Sequence, residues 1–304
     1  MKRSMFDKKQ KGFTLLELLV VITLLAILSV GALVAYEGIG DNAQATAAAN
    51  NTSGADRAIR NFRAVTQNYP NQWDNLVTDA GAKPAFLAAD TAAAFSNWAI
   101  PAPATAFRTA LDAAFAKVGI TSIQQRTVAT TTAGVEPNLQ HNEGAVGGDA
   151  VETVVTAATF DNVAILPTFG TAACSVAGVA LPVTKIDGTT AVAAADGARQ
   201  NVINDNLESN ECNLVIALGF GHDAAHSTSG TSVAISTAPT FVSKDINPNN
   251  AYARYIALFH VGADGNADNN ITDAEVFTTP RLLAVVDTEG HMIDENIAAQ
   301  NPVN

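Results

Sequence analysis

The longest apolar stretch of the chain covers residues 13–36, FTLLELLVVITLLAILSVGALVAY, where Glu17 is the one charge among 24 residues. As a helix rising about 1.5 Å per residue it would be roughly 36 Å long, enough to cross a hydrocarbon core of about 30 Å. Beyond it, residues 43–49 favour helix, and Asn50, Asn51 and Gly54 interrupt it. Ser53 and Asp56 then offer a short capping pattern from which a helix restarts. Ala55, Ile59, Phe62, Val65 and Tyr69 recur at helical spacing, with Arg57, Arg60, Arg63 and Gln67 elsewhere on the wheel. That pattern predicts an amphipathic helix lying against a sheet and ended by Pro70.

Residues 84–118 read as two helical pieces divided by Pro101 and Pro103, with Phe86, Phe95, Phe107, Leu111 and Phe115 as core contacts. Past residue 120 the texture turns to short β-prone runs between Gly, Asn and Pro: 151–156, 162–166, 214–220, 232–236, 252–261 and 282–287. Asp287-Thr288-Glu289-Gly290 reads as a turn after the last run. The predicted class is α+β, a long N-terminal helix whose amphipathic half packs on an antiparallel sheet. No internal repeat is evident.

Composition adds two constraints. With 304 residues and 48% hydrophobic content the chain can bury a core, while only 15% of residues are charged, below the usual quarter. The net charge of -12 is uneven: Lys2, Arg3, Lys8, Lys9 and Lys11 against Asp7 give the residues before Gly12 a balance of +4, leaving -16 for the rest. Basic residues ahead of an apolar span stay in the cytoplasm, which places the chain after Tyr36 outside. So acidic a head, with no basic stripe bearing aromatics, argues against nucleic-acid binding.

Glu17 decides between readings of the span. A secretory signal has an apolar run of about 7 to 15 residues and a small-residue cleavage site. Ala43-Gln44-Ala45 supplies such a site, but the run is too long and holds a carboxylate. A plain signal anchor fits the length and leaves Glu17 unexplained. A carboxylate inside an apolar membrane helix costs about 2.5 to 3.5 kcal/mol even on lenient scales, so it needs a partner.

Lys11-Gly12-Phe13-Thr14-Leu15-Leu16-Glu17, followed by the apolar run, resembles the prepilin family: the subunits of type IV pili and type II secretion pseudopili. The resemblance implies that a prepilin peptidase cuts after Gly12 and that Phe13 becomes the methylated N-terminus. It also implies that Glu17 neutralises the terminal amine of a neighbouring subunit during assembly. Two buried opposite charges are tolerable as a pair and would favour one axial register. Many family members carry a proline about twenty residues into the mature helix. This chain has Val34 there, with Gly31, Gly38 and Gly40 as alternative sources of flexibility. Gly38-Ile39-Gly40-Asp41-Asn42-Ala43 mimics a dinucleotide-binding loop, but no βαβ unit surrounds it.

The implied organisation is a leader at 1–12, a transmembrane and filament-core helix at 13–36, its amphipathic continuation at 37–69, and an extracytoplasmic head at 70–304. Residues 69–76, YPNQWDNL, loosely resemble the loop that leaves this helix in many pseudopilins. The implied partners are copies of itself and other pilins, prepilin peptidase, the inner-membrane assembly machinery and the membrane. The implied location is a single-pass inner-membrane protein that later becomes a periplasmic or cell-surface filament.

Residues 264–275, DGNADNNITDAE, follow the twelve-position EF-hand calcium pattern. Asp264, Asn266 and Asp268 occupy alternating positions, Ile271 the apolar one and Glu275 the last. Asn270 would bind through its carbonyl and Thr272 directly or through water, while Asn269 replaces the usual glycine. A solvated turn between strands is the alternative. The preceding Gly262-Ala263-Asp264-Gly265 resembles the C-terminal calcium loop of major pseudopilins, which favours calcium as a structural cofactor.

Cys174 and Cys212 have 37 residues between them. In a head outside the cytoplasm they read as a disulfide contributing roughly 4 kcal/mol in the chain-entropy model, and otherwise as buried thiols. His222, Asp223 and His226 have the spacing of a zinc pair on a helix, but the surrounding Gly, Ser and Thr argue for a loop. His141, His260 and His291 stand isolated. No nucleophile elbow, phosphate loop or HExxH motif occurs, so no catalytic residue is assigned. Three functional readings result: a non-enzymatic filament subunit, an anchored adhesin or binding module, and an anchored metal-dependent hydrolase using His222 and His226.

Overall fold

The computed structural model describes residues 13–84, 87–101, 106–126, 152–156, 161–166, 174–182, 184–190, 212–221, 233 and 252–298. Phe86, Pro103, His141, the run 232–236 apart from Val233, and the site formed by His222, Asp223 and His226 lie outside the described residues. The chain divides into two units, Met1–Ala43 and Gln44–Asn304.

A single helix, α1 (Leu15–Thr66), runs across that division. It opens on a capping box. The Thr14 hydroxyl accepts the Glu17 N–H at 3.3 Å, and the Glu17 carboxylate takes the Thr14 N–H at 2.9 Å. The expected interruption at Asn50, Asn51 and Gly54 does not occur, because Ala48, Ala49, Thr52, Ala55 and Ile59 are buried along one face. Tertiary packing of that face outweighs the weak intrinsic cost of Asn and Gly. Nor does Pro70 end the helix. Gln67 adopts φ 64 and donates its N–H to Arg63 O at 2.8 Å, the left-handed C-cap that closes a helix from within. Val65, predicted on the buried stripe, is 85% exposed.

The second unit holds a mixed sheet with strand order β11–β9–β8–β1–β3–β4. In chain order these strands are β1 (Trp73–Thr78), β3 (Ser122–Arg126), β4 (Glu152–Thr156), β8 (Asn213–Gly219), β9 (Ile256–Ala263) and β11 (Val276–Val286). β2 (Ser96–Ala99) pairs with β5 (Asn162–Ile165), which reaches β8 through Ile165 and Ile216. These pairings are antiparallel, as predicted, except that β1 runs parallel to β3. A small second sheet joins β10 (Asn270–Ile271), β6 (Ser175–Val176) and β7 (Val179–Ala180). Helices α2 (Ala89–Ala94), α3 (Ala106–Lys117) and α4 (Ile293–Ala298) complete the unit. Residues 84–118 thus supply two helices, as expected, but β2 lies between them.

β8 explains the core. All seven of its residues are buried, and they alternate between two clusters. Leu214, Ile216 and Leu218 join Ala55, Ile59, Phe107, Leu111, Phe115, Ala257 and Phe259, whereas Val215 and Ala217 join Leu76, Val77, Phe95, Ile256 and Leu258. A strand covered on both faces reads as a continuous apolar run. Phe259 is the hub of the first cluster, meeting the rings of Tyr69, Trp73 and Phe115 edge-on at 5.1, 5.1 and 6.3 Å.

β1 departs furthest from expectation, because YPNQWDNL resembled a loop. It is a fully buried strand whose polar residues are paired. Asp74 Oδ2 accepts from Arg254 Nη1 at 2.8 Å and Tyr252 Oη at 2.9 Å, and Asn75 Nδ2 donates to Asn162 O at 2.7 Å. Gly221 permits the close approach of this strand's start, since a side chain there would strike the Gln72 carbonyl. The edge strand β11 is tied to α1. Arg60 donates to the carbonyls of Leu282 and Leu283, Arg63 to that of Pro280, and Leu282 N–H donates to Tyr69 Oη. Those bonds occupy backbone groups that would otherwise template another strand.

Phe259→Ala should lower unfolding free energy by about 3–5 kcal/mol, whereas Val65→Ala should change it by less than about 0.5 kcal/mol. Denaturant unfolding read through the two buried tryptophans, Trp73 and Trp98, measures both.

Candidate functional site

Among the described residues, three places carry candidate functional groups. The first is the N-terminal segment. Leu15–Val34 is a helix long and apolar enough to cross a membrane, and none of it is buried within the chain. Glu17 sits in the first helical turn, where its Oε2 also accepts from the Thr14 hydroxyl at 2.9 Å. The acid that seemed to need an outside partner therefore has a local one. The signal was present as Thr14-x-x-Glu17, a capping-box spacing that the membrane reading passed over. Phe13 is exposed, and Gly12 lies outside the described residues.

The second is the loop 264–275. Asp264 is buried and its carboxylate gathers backbone N–H groups of Asn266, Asp268 and Asn269 at 3.2, 3.4 and 2.7 Å. Asn266 and Asp268 repeat the pattern toward Asp268 N–H and Asn270 N–H. Asn269 has φ 63, the left-handed conformation that a glycine usually fills. Thr272 and Glu275 form a capping box over the 3-10 turn Asp273–Glu275. Hydrogen bonds from the Thr272 N–H and hydroxyl hold the Glu275 carboxyl below its usual range. The Ser175 and Ala177 N–H groups donate to the carbonyls of Asn269 and Ile271, so the Asn270 carbonyl between them faces the other way. The backbone therefore fits the twelve-position pattern. The carboxylates of Asp264, Asp268 and Glu275 do not form a group within mutual ligand reach, whereas another set does.

A disulfide joins Cys174 to Cys212, with Cα atoms 5.6 Å apart. Both cysteines abut the loop. Asp264 N–H donates to Cys212 O at 2.9 Å, and Ser175 N–H and hydroxyl donate to Asn269 O at 2.9 and 3.1 Å. The Asn270 side chain accepts from Ser175 and from Gly178 N–H.

The third place is the turn after β11. His291, isolated in the linear reading, stands beside Asp287 and Glu289. Its Nδ1 lies 3.2 Å from Glu289 Oε2 and 3.9 Å from Asp287 Oδ2. Burial pushes the Asp287 carboxyl above its usual range, against the pull of hydrogen bonds from Asn296 and His291. Among the described residues this is the one set of three such side chains whose ligand atoms all lie within 4.8 Å of one another.

His260 is buried in β9, with Nε2 2.9 Å from Asn213 Oδ1 and its ring edge-on to Phe277. Burial and the Arg281 guanidinium lower its pKa from 6.5 to about 4. It is a neutral core histidine.

Residues 7–33 match the prokaryotic N-terminal methylation motif. This motif is typical of type IV pilins and pseudopilins, and it generically implies processing by a prepilin peptidase. The match ends at residue 33, so the head stands outside it. No curated protein and no solved structure matches the chain.

The His260 geometry sets a pH dependence. An unfolded chain takes up a proton on this imidazole as pH falls below 6.5, and the folded chain resists until about 4. The stability it contributes is complete above pH 6.5 and is lost as pH falls to 4, a loss on the order of 3 kcal/mol. Urea midpoints measured across that range should fall, and His260→Gln should flatten the profile.

Proposed function

We propose that this chain is a non-enzymatic structural subunit of a type IV pilus-like filament or type II secretion pseudopilus. The observation that carries the proposal is a junction. The methylation motif at residues 7–33 overlaps the helix Leu15–Val34, whose apolar side chains all remain exposed. Such a surface requires lipid, other helices, or each in turn.

In this reading prepilin peptidase removes residues 1–12 by cutting after Gly12, and Phe13 becomes the methylated N-terminus. Residues 13–36 anchor the subunit in the inner membrane and later pack in the filament, 37–69 continue the helix, and 70–304 form the head outside. Glu17 already bonds to Thr14, one residue from the new amine. A carboxylate placed there serves the N-terminus of its own chain or a neighbour's at little further rearrangement, which favours one axial register. Partners are other copies, other pilins and the inner-membrane assembly machinery.

Calcium is the structural cofactor proposed for the head. Asp264, Asn266, Asp268, Thr272 and Glu275 would supply side-chain oxygens and Asn270 its carbonyl. A hard cation with flexible coordination would offset the negative charge of this loop. The disulfide, by bracing both sides of the loop, limits what binding must still order.

N-terminal analysis of the protein from its native host should find methylated Phe13. Glu17→Gln should mature normally yet lower filament yield, seen by shearing and electron microscopy, at least about tenfold, the penalty of a buried unpaired ammonium. An intact Met1, or a Thr46 terminus, would contradict the proposal. For the cofactor, about 10 mM calcium should stabilise the folded chain by about 1.5–3 kcal/mol if the site binds in the extracellular range. Glu275→Gln should remove that gain, and melting curves with calcium and with a chelator measure it.

A further inference from the structure

The turn after β11 holds three donors that filament assembly does not use. Asp287, Glu289 and His291 alternate along the chain, yet their ligand atoms converge within 4.8 Å. Asp287 and Glu289 are 0% and 1% exposed, and the His291 side chain is 35% exposed.

The turn is braced before any ligand arrives. Asp287 Oδ1 accepts the N–H groups of Glu289 and His291 at 3.0 and 2.8 Å, and Oδ2 accepts from Asn296 Nδ2 at 2.8 Å. The Thr91 hydroxyl donates to the Thr288 carbonyl. Gly290, at φ 81, packs so tightly on Ala94 that a side chain there would collide with it. A β-carbon would break this turn. The three donors are therefore carried on a fixed backbone.

The separations are also those of ligands around one small ion. Two donors each about 2.1 Å from a metal and set at a tetrahedral angle lie about 3.4 Å apart. Nδ1 is 3.2 and 3.9 Å from the two carboxylate oxygens. We propose that Asp287, Glu289 and His291 form a binding site for a divalent transition ion of the zinc class. One imidazole nitrogen with two carboxylate oxygens suits such an ion, whereas calcium takes oxygen ligands. The site is thereby chemically distinct from the loop at 264–275 and independent of the filament reading. His291, the exposed member, marks the side from which the ion enters, and three protein donors leave a fourth position for water.

The test titrates the full-length chain in detergent micelles with zinc against a chromophoric chelator, and with cobalt as an optical stand-in. Wild type should take up one equivalent of zinc that excess calcium does not displace. Cobalt should give visible bands of a nitrogen-and-oxygen site. His291→Ala and His291→Gln, changes at the exposed rim, should keep the metal-free melting temperature near wild type and weaken zinc binding roughly tenfold or more. Glu275→Gln should leave zinc binding unchanged. Absence of saturable zinc binding, or binding that survives both His291 variants, overturns the proposal.

Discussion

The twenty residues of α1 from Leu15 to Val34 form a mostly apolar surface that the chain itself leaves uncovered. That one constraint governs the protein, because such a surface cannot be left in water. It requires cover, from lipid or from other helices. The methylation motif lies over this stretch. Thr14 and Glu17 resolve the polar end of the same helix, satisfying N–H groups that would otherwise be orphaned at its start.

Further along, the same helix is shaped by a different demand. From Ala45 to Ile59 its small residues let α1 bury a face in the second unit, and Arg60 and Arg63 bond to carbonyls of β11. Exposure at one end and burial at the other arise from composition: large aliphatic residues in the first case, alanine and threonine in the second. Continuity through Asn50, Asn51 and Gly54 follows from the burial and not from propensity.

Much of this was legible in the sequence where the physical signal is local or continuous. β8 and β9 appeared as apolar runs because both sheet faces are covered, and the span with its cleavage pattern appeared because the residues lie side by side. β1 was not legible. Asp74 and Asn75 look like loop residues until Arg254, Tyr252 and Asn162 are brought to them, and those partners are far away in the chain. The convergence at Asp287, Glu289 and His291 was hidden for a related reason. The turn was visible, but alternating residues give no hint that a turn will fold their side chains onto one another. The loop at 264–275 stands between these cases: its periodic residue pattern was readable, while the separation of its carboxylates was not.

The bond between Cys174 and Cys212 bears on how the head tolerates change. It pins two points of the chain 5.6 Å apart, and Cys212 on one side and Ser175, next to Cys174, on the other are hydrogen-bonded to the 264–275 loop. Losing either cysteine would therefore loosen that loop from two directions at once, so both positions tolerate little substitution.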